Sequence, residues 1–422
     1  MSVTAPEGFV ASAAACGLKA SGATDLSLVA TADGRPVAAA ATFTTNKAAA
    51  APVNVSRRHL QATAGRAAAV VLNSGNANAA TGQTGDEHAE RMCALVAHEL
   101  GCESDEVLVC STGLIGIPLK IERVTAGIPT LVRARAAGAE AGQAAANAIM
   151  TTDTRSKQVV VPGRGFTVGG MAKGAAMLAP NMATMLAVLT TDAAAEPAML
   201  RRALQDAVSR SFNQMTVDAC TSTNDTVIVL ASGRAQARAA AAAPAGDWAA
   251  TPAPAAASNW AGAAAAGPPT EVELTDALWE ACADLAGQMA ADAEGATKVV
   301  RVRVVGAADY HEAAAGARKI AQSQLVKCSF YGQDPYWGRV VSELGSAGIA
   351  FDMDRVRITY GGITVCRGGV EAGDPAQAGA LAKVMAGDTI EVVAHLGLGT
   401  GEASMITCDL GHGYIDENMS TS

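Results

Sequence analysis

The chain has 422 residues, half of them apolar and only 17% charged, enough for one large domain or two around sizeable cores. A formal net charge of −9 with no Lys/Arg run excludes a nucleic-acid surface. Nine scattered cysteines without C-x-x-C, six single histidines without H-E-x-x-H, and no apolar run of membrane-spanning length argue against a disulfide framework, a zinc site and a transmembrane helix. The start Met1-Ser-Val-Thr-Ala-Pro-Glu carries no basic n-region, so no signal peptide is expected and a cytoplasmic enzyme is the default.

Residues 20–75 read as short strands, with Val37–Phe43 and Ala67–Leu72 as small-residue and β-branched runs bounded by Gly, Asn and Ser. Gly85 to Leu100 predicts a helix with Ala89, Met92, Cys93, Val96 and Leu100 on one face. Val107–Cys110 reads as a buried strand that enters a Ser-Thr-Gly turn. Ala136 to Ile149 reads as an Ala-rich helix. Lys157–Val161 and Gly165–Val168 form a hairpin around Pro162-Gly163-Arg164. Thr184 to Thr190 and Thr226–Leu230 read as strands, and Pro197 to Phe212 as a helix.

Ala235 to Thr270 is Ala/Pro/Gly-rich with two isolated tryptophans, Trp248 and Trp260, and reads as a disordered insertion that buries too little apolar surface to offset chain entropy. A helix resumes at about Leu274 to Ala293, and Val299–Val305 alternates as a half-exposed strand. Strands and one more helix fill the last hundred residues. Mixed strands and helices without strict βαβ alternation predict an α+β fold. Gly163–Gly169 and Gly397–Gly401 lack the spacing of a nucleotide loop and read as turns.

Within Met171–Leu186, one threonine, Thr184, follows the small residue Ala183 inside an apolar run. Such a hydroxyl is ordinarily a packed side chain. It has a second use: if the Ala183–Thr184 peptide bond is cut, Thr184 gains an α-amine with a pKa near about 8, within reach of its own hydroxyl. Nucleophile and base then come from one residue.

This segment resembles the self-cleavage motif of the ornithine acetyltransferase family, the glutamate N-acetyltransferases of arginine synthesis. Further similar stretches keep the family's order along nearly the whole chain: Asn73–Asn78, Cys110–Gly116, Ala148–Thr154, Ser222–Thr226, Asp292–Lys298, Leu325–Lys327, Asp334–Arg339 and Gly413–Asn418. The ordered set is specific where no single stretch is.

The resemblance implies stacked β layers flanked by helices, an αββα sandwich like that of self-processing aminopeptidases. It implies self-cleavage at Ala183–Thr184 into an α chain, 1–183, and a β chain, 184–422, with two of each forming a heterotetramer. Thr184 is then the nucleophile, carrying acetyl from N2-acetylornithine to glutamate. Thr112 and Gly113 are the oxyanion pair. Lys173 fixes the substrate carboxylate, Glu294 contacts its amino end, and one of Thr151 and Thr152 hydrogen-bonds substrate. Asn418 carries over. The chain departs from the family at its end, where Asn418 is followed by Met-Ser-Thr-Ser422; the terminal hydroxyl partner is Ser422 or Thr421.

No metal and no cofactor is called for, although acetyl-CoA stands as a second acetyl donor if acetylglutamate is also made from it. The partners are small molecules, with no nucleic acid and no membrane. Three competing readings stand beside this one. They are an N-terminal-nucleophile aminopeptidase or amidase, an acetyltransferase of a secondary-metabolite pathway, and an uncleaved binding protein.

Overall fold

A computed structural model describes residues 2–179, 185–242 and 267–419. Four layers make up the larger part. The first sheet runs β1 (Phe9–Ala14), β2 (Leu26–Thr31), β5 (Ala69–Asn76) and β6 (Val107–Leu114). The second runs β4 (Arg66–Ala67), β3 (Val37–Phe43), β10 (Thr226–Ala231), β9 (Leu186–Thr191), β8 (Thr167–Lys173) and β7 (Lys157–Pro162).

The sheets face each other over a core that includes Phe9, Val29, Val70, Leu72, Leu108, Met171, Val188, Ile228 and Leu230. The strands read as near-continuous apolar runs because both of their faces are covered. Helices α1 (Ala51–Ala62), α2 (Gly82–Leu100) and α3 (Ile121–Arg133) cover the outer face of the first sheet. Helices α5 (Pro197–Ser209) and α7 (Glu271–Ala290) cover the second sheet, and α4 (Ala139–Ala148) closes the edge between the sheets. The α+β class and the β layers flanked by helices are as expected.

A third sheet follows, ordered β14 (Val370–Glu371), β13 (Ile363–Arg367), β12 (Arg357–Tyr360), β15 (Thr389–His395), β11 (Val299–Ala307) and β16 (Gly401–Cys408). It packs against α8 (Tyr310–Gln322), α9 (Gln324–Tyr331), α10 (Trp337–Gly345) and α11 (Ala378–Ala386) around a core of its own. The last helix, α12 (His412–Asn418), returns the C-terminal end of the described chain toward the first two sheets. Lys327 on α9 is buried. Its ammonium donates to the Cys408 carbonyl at 2.6 Å and to Thr407 Oγ1 at 3.2 Å, so this lysine is a structural strut.

Four readings are corrected. Residues 51–62, placed among short strands, form α1: Pro52 sits in its first turn, where a missing N–H costs nothing, and the Val53/Val55 alternation imitates a strand. The expected disordered insertion begins too early. Residues 234–242 are the helix α6 (Arg234–Ala242), as a run of strong helix formers favours, and Arg234 pairs with Asp33 at 2.8 Å. The rest of that stretch, 243–266 with Trp248 and Trp260, lies outside the described residues. The single helix expected in the last hundred residues is several, because short amphipathic segments give weak periodicity. Finally, Thr112 and Gly113 belong to the paired strand β6, opposite Ser74 and Gly75 of β5, and do not form a turn.

Among the described residues, no helix is long and apolar enough to cross a membrane, and no cluster of His, Cys, Asp and Glu has the make-up of a metal site.

Candidate active site

One cavity of about 800 Å³ lies where the first two sheets, the β8 end and α12 converge. It is lined by Thr112, Gly113, Thr151, Thr152, Lys173, Glu294 and Asn418, among others. Seven residues selected from separated stretches of the sequence therefore share one wall. Ala183, Thr184 and Ser422, and with them Thr421, lie outside the described residues.

The floor is the β5–β6 pair. Their register shifts at Gly75/Asn76, and there the strands approach so closely that a Cβ on Gly113 would sit 2.3 Å from the Gly75 carbonyl carbon. With φ at +134° as well, only glycine fits position 113. Neighbouring amides hold the bulge. Asn73 Nδ2 donates to the Asn76 carbonyl at 2.8 Å, Ser111 Oγ to Asn73 Oδ1 at 2.6 Å, and Asn224 Nδ2 to the Ala77 and Ser111 carbonyls at 2.6 and 2.9 Å. The stretches 73–78, 110–116 and 222–226 are thus one hydrogen-bonded floor.

Lys173, the last residue of β8, is buried, not the solvated loop residue that an isolated lysine usually is. Its Nζ donates to Thr112 Oγ1 at 3.3 Å. An ammonium only donates, so the Thr112 oxygen accepts and its own O–H is left to donate elsewhere. Lys173 Nζ also lies 4.0 Å from Asp153 Oδ2. Asp153 accepts the Lys157 ammonium at 2.5 Å and the Gly174 N–H at 2.8 Å, and Lys157 bonds Asp292 as well.

Two lysines and two aspartates therefore form a buried, charge-balanced network under the cavity. Burial pushes Asp153 upward, but the Lys173 and Lys157 ammoniums outweigh it and hold the carboxyl at about 2. Burial drives Lys173 below the ordinary lysine value; Asp153 and Glu294 oppose that shift, while Lys157 adds to it. Asp153 Oδ2 also accepts the Thr151 N–H at 3.0 Å, which seats the Thr151–Thr152 turn beside Lys173.

The opposite wall holds Glu294. Its N–H donates to the Ala175 carbonyl at 2.9 Å, and its carboxylate accepts Asn418 Nδ2 at 2.7 Å. A Cβ on the next residue, Gly295, would lie 2.1 Å from the Tyr414 nitrogen, so glycine lets α12 press against this turn. Tyr414 in turn donates to Asp218 Oδ2 at 3.2 Å, and Asp218 accepts the Leu178 N–H at 2.9 Å. Burial raises the Asp218 pKa against several backbone N–H donors.

Asp225 is a further buried carboxyl near the cavity floor. It is fully buried; Oδ1 accepts the Met185 N–H at 3.0 Å, and Oδ2 has no hydrogen-bond partner among the described residues. Burial raises its pKa well above the carboxylate range. Met185 is held from both sides, since its carbonyl accepts the Thr226 N–H at 3.1 Å.

Sequence reasoning missed Lys19, Asp153, Asp218, Asp225 and Tyr414. Asp153, Asp225 and Tyr414 lie within stretches that were singled out, but only the fold shows which charge each one meets.

A profile of the ArgJ family matches residues 10–421. The Mycobacterium tuberculosis (strain ATCC 25618 / H37Rv) protein "Arginine biosynthesis bifunctional protein ArgJ" is 44% identical over 426 residues, covering 100% of this chain and 96% of that protein. The Thermobifida fusca protein of the same name is 41% identical over 423 residues, covering 100% of both. The crystal structure of ornithine acetyltransferase complexed with ornithine from Mycobacterium tuberculosis is 46% identical, with a TM-score of 0.41, and covers 42% of this chain and 94% of that one.

Proposed function

The chain belongs to the ArgJ family, and we propose from that premise that it moves an acetyl group from N2-acetylornithine to glutamate in arginine biosynthesis, through an acetyl ester on Thr184. The observation that carries the reading is the shared cavity. It brings Thr112 and Gly113, a buried cation (Lys173) and a carboxylate–amide pair (Glu294, Asn418) together near the strand that starts two residues after Thr184.

Maturation comes first. The Thr184 hydroxyl attacks the Ala183 carbonyl carbon, the C–N bond breaks, and the Thr184 nitrogen takes the proton. Water then cleaves the resulting ester to an Ala183 carboxylate. The products are an α chain, 1–183, and a β chain, 184–422, that assemble as a heterotetramer of two α and two β chains.

In the first half-reaction the Thr184 amine accepts the hydroxyl proton as the oxygen attacks the acetyl carbonyl of acetylornithine. The Thr112 O–H and the Gly113 N–H stabilise the oxyanion, a contribution that is often the largest in acyl transfer. The amide bond breaks, the departing nitrogen takes the proton, and ornithine leaves. Lys173 holds the α-carboxylate; Glu294, held by Asn418, receives the far ammonium; and the Thr151–Thr152 turn adds a hydroxyl. In the second half-reaction the glutamate α-amine attacks the ester carbonyl, the bond to the Thr184 oxygen breaks, that oxygen takes a proton back from the amine, and N-acetylglutamate leaves. The family resemblance makes Ser422 or Thr421 the terminal hydroxyl partner of the substrate. No cofactor is needed for this exchange, and acetyl-CoA enters only as an alternative donor to the same ester.

Mixing the enzyme with acetylornithine alone tests the reading. Up to one ornithine per site is released, and one acetyl mass appears on the fragment that begins at Thr184. Intersecting double-reciprocal lines with no mass gain would replace the ester with direct transfer in a ternary complex.

A further inference from the structure

The two substrates of this exchange, as proposed above, differ in charge at their far ends. Ornithine carries a side-chain ammonium, and glutamate a side-chain carboxylate. Both must place their α-nitrogen at the same nucleophile, so their side chains enter the same cavity. A single fixed charge cannot welcome both, because like charges brought together cost free energy. Glu294 suits the ammonium and would repel the carboxylate. Lys173 is occupied by the α-carboxylate common to both.

The described residues of the cavity wall hold a second lysine, Lys19. It lies in the loop between β1 and β2 and lines the cavity together with Thr151 and Thr152. Its ammonium donates to the Thr24 carbonyl at 2.9 Å and to the Ala148 carbonyl at 3.3 Å, and neither neutralises it. An ammonium has three donors, so one remains.

The loop is held rigidly. The buried Asp25 carboxylate accepts the backbone N–H groups of Cys16, Leu18 and Lys19 at 2.7, 2.6 and 3.1 Å, and the Asp25 carbonyl accepts the Ser74 N–H at 2.9 Å. Lys19 is therefore presented by a pre-organised turn anchored to the cavity floor, and does not wander over the surface. Burial lowers its pKa, the Asp25 and Asp153 charges oppose that shift, and the charge of Lys173 adds to it; an arriving carboxylate stabilises the ammonium further.

We propose that Lys19 binds the side-chain carboxylate of the acetyl acceptor, so that Lys19 and Glu294 read opposite charges at the far ends of the two substrates. The proposal rests on the acetyl-enzyme reading above.

The test separates the half-reactions in Lys19→Met and Lys19→Arg. With Lys19→Met, acetyl-enzyme forms from acetylornithine within about threefold of the wild-type rate. Its discharge needs about 10- to 100-fold more glutamate, the range expected for one lost charge-assisted hydrogen bond. The preference for glutamate over glutamine falls by the same factor, which a structural defect would not produce, and Lys19→Arg restores most of it. If Lys19→Met keeps both its glutamate requirement and its glutamate/glutamine preference, the assignment is overturned. If the wild-type enzyme itself gains no acetyl mass, the acetyl-enzyme reading fails first, and that result is seen without any variant.

Discussion

Lys173 Nζ donates to Thr112 Oγ1 across 3.3 Å, joining the end of β8 to the bulge of β6 over 61 positions of sequence. The contact ties the proposed carboxylate-binding cation to the proposed oxyanion donor, and it orients the Thr112 hydroxyl by occupying one of its acceptor sites. The two groups act as one unit, and the Asp153–Lys157–Asp292 network beneath them holds that unit in place.

Thr112→Ala is expected to slow acetyl transfer by about 10²–10³-fold, as for the loss of one oxyanion donor. The buried Lys173 loses its acceptor at the same time, so the Michaelis constant for acetylornithine rises as well. Steady-state kinetics check both, and an unchanged kcat would return Thr112 to a purely structural part of β6.

The denatured protein is expected to run as two fragments, and Edman degradation of the second to read Thr-Met-Leu-Ala. Thr184→Ala stays a single chain and transfers no acetyl group, because both reactions use the same hydroxyl. A cleaved and active alanine variant would place the nucleophile elsewhere.

Asp153→Asn leaves Lys157 with Asp292 alone and takes from the buried Lys173 its nearest carboxylate, and is expected to destabilise the fold by about 3–5 kcal/mol, as for a broken buried ion pair. The sign of the pH effect follows from the depressed carboxyl. Its folded value, about 2, lies below the ordinary 3.8, so the stabilisation is fully present above about pH 4 and is lost as pH falls toward 2. That shift is worth about 2 kcal/mol. Chemical denaturation at pH 7 and pH 3 should show the wild-type advantage shrinking at the lower pH.

Asp225→Asn keeps an acceptor for the Met185 N–H but removes a titrating group. A carboxyl whose folded pKa is raised favours folding most below its unfolded value, and that contribution is lost as pH rises through the folded value. The variant is therefore expected to gain stability relative to wild type as the pH rises. Thermal denaturation against pH measures the effect. A difference in stability that does not change with pH would mean that Asp225 titrates normally.

Much of this protein was legible in the linear chain. Binary pattern placed α2, α5, α7 and the β7–β8 hairpin, because a long apolar stripe or a Pro-Gly turn is a local property of consecutive residues. Resemblance of ordered short stretches selected Thr112, Gly113, Lys173, Glu294 and Asn418, which the fold brings to one cavity. What stayed hidden depends on neighbours far along the chain. Gly113 reads as a turn residue until β5 is seen to approach it too closely for a Cβ. Asp153 reads as a turn carboxylate until two buried ammonium groups surround it. Lys19 carries no local mark at all, and Asp225 none beyond its place in the Ser222–Thr226 stretch. Their roles come from burial and from the charges and backbone groups that face them, and the tertiary structure alone decides these, because electrostatic environment is a property of space and not of sequence distance.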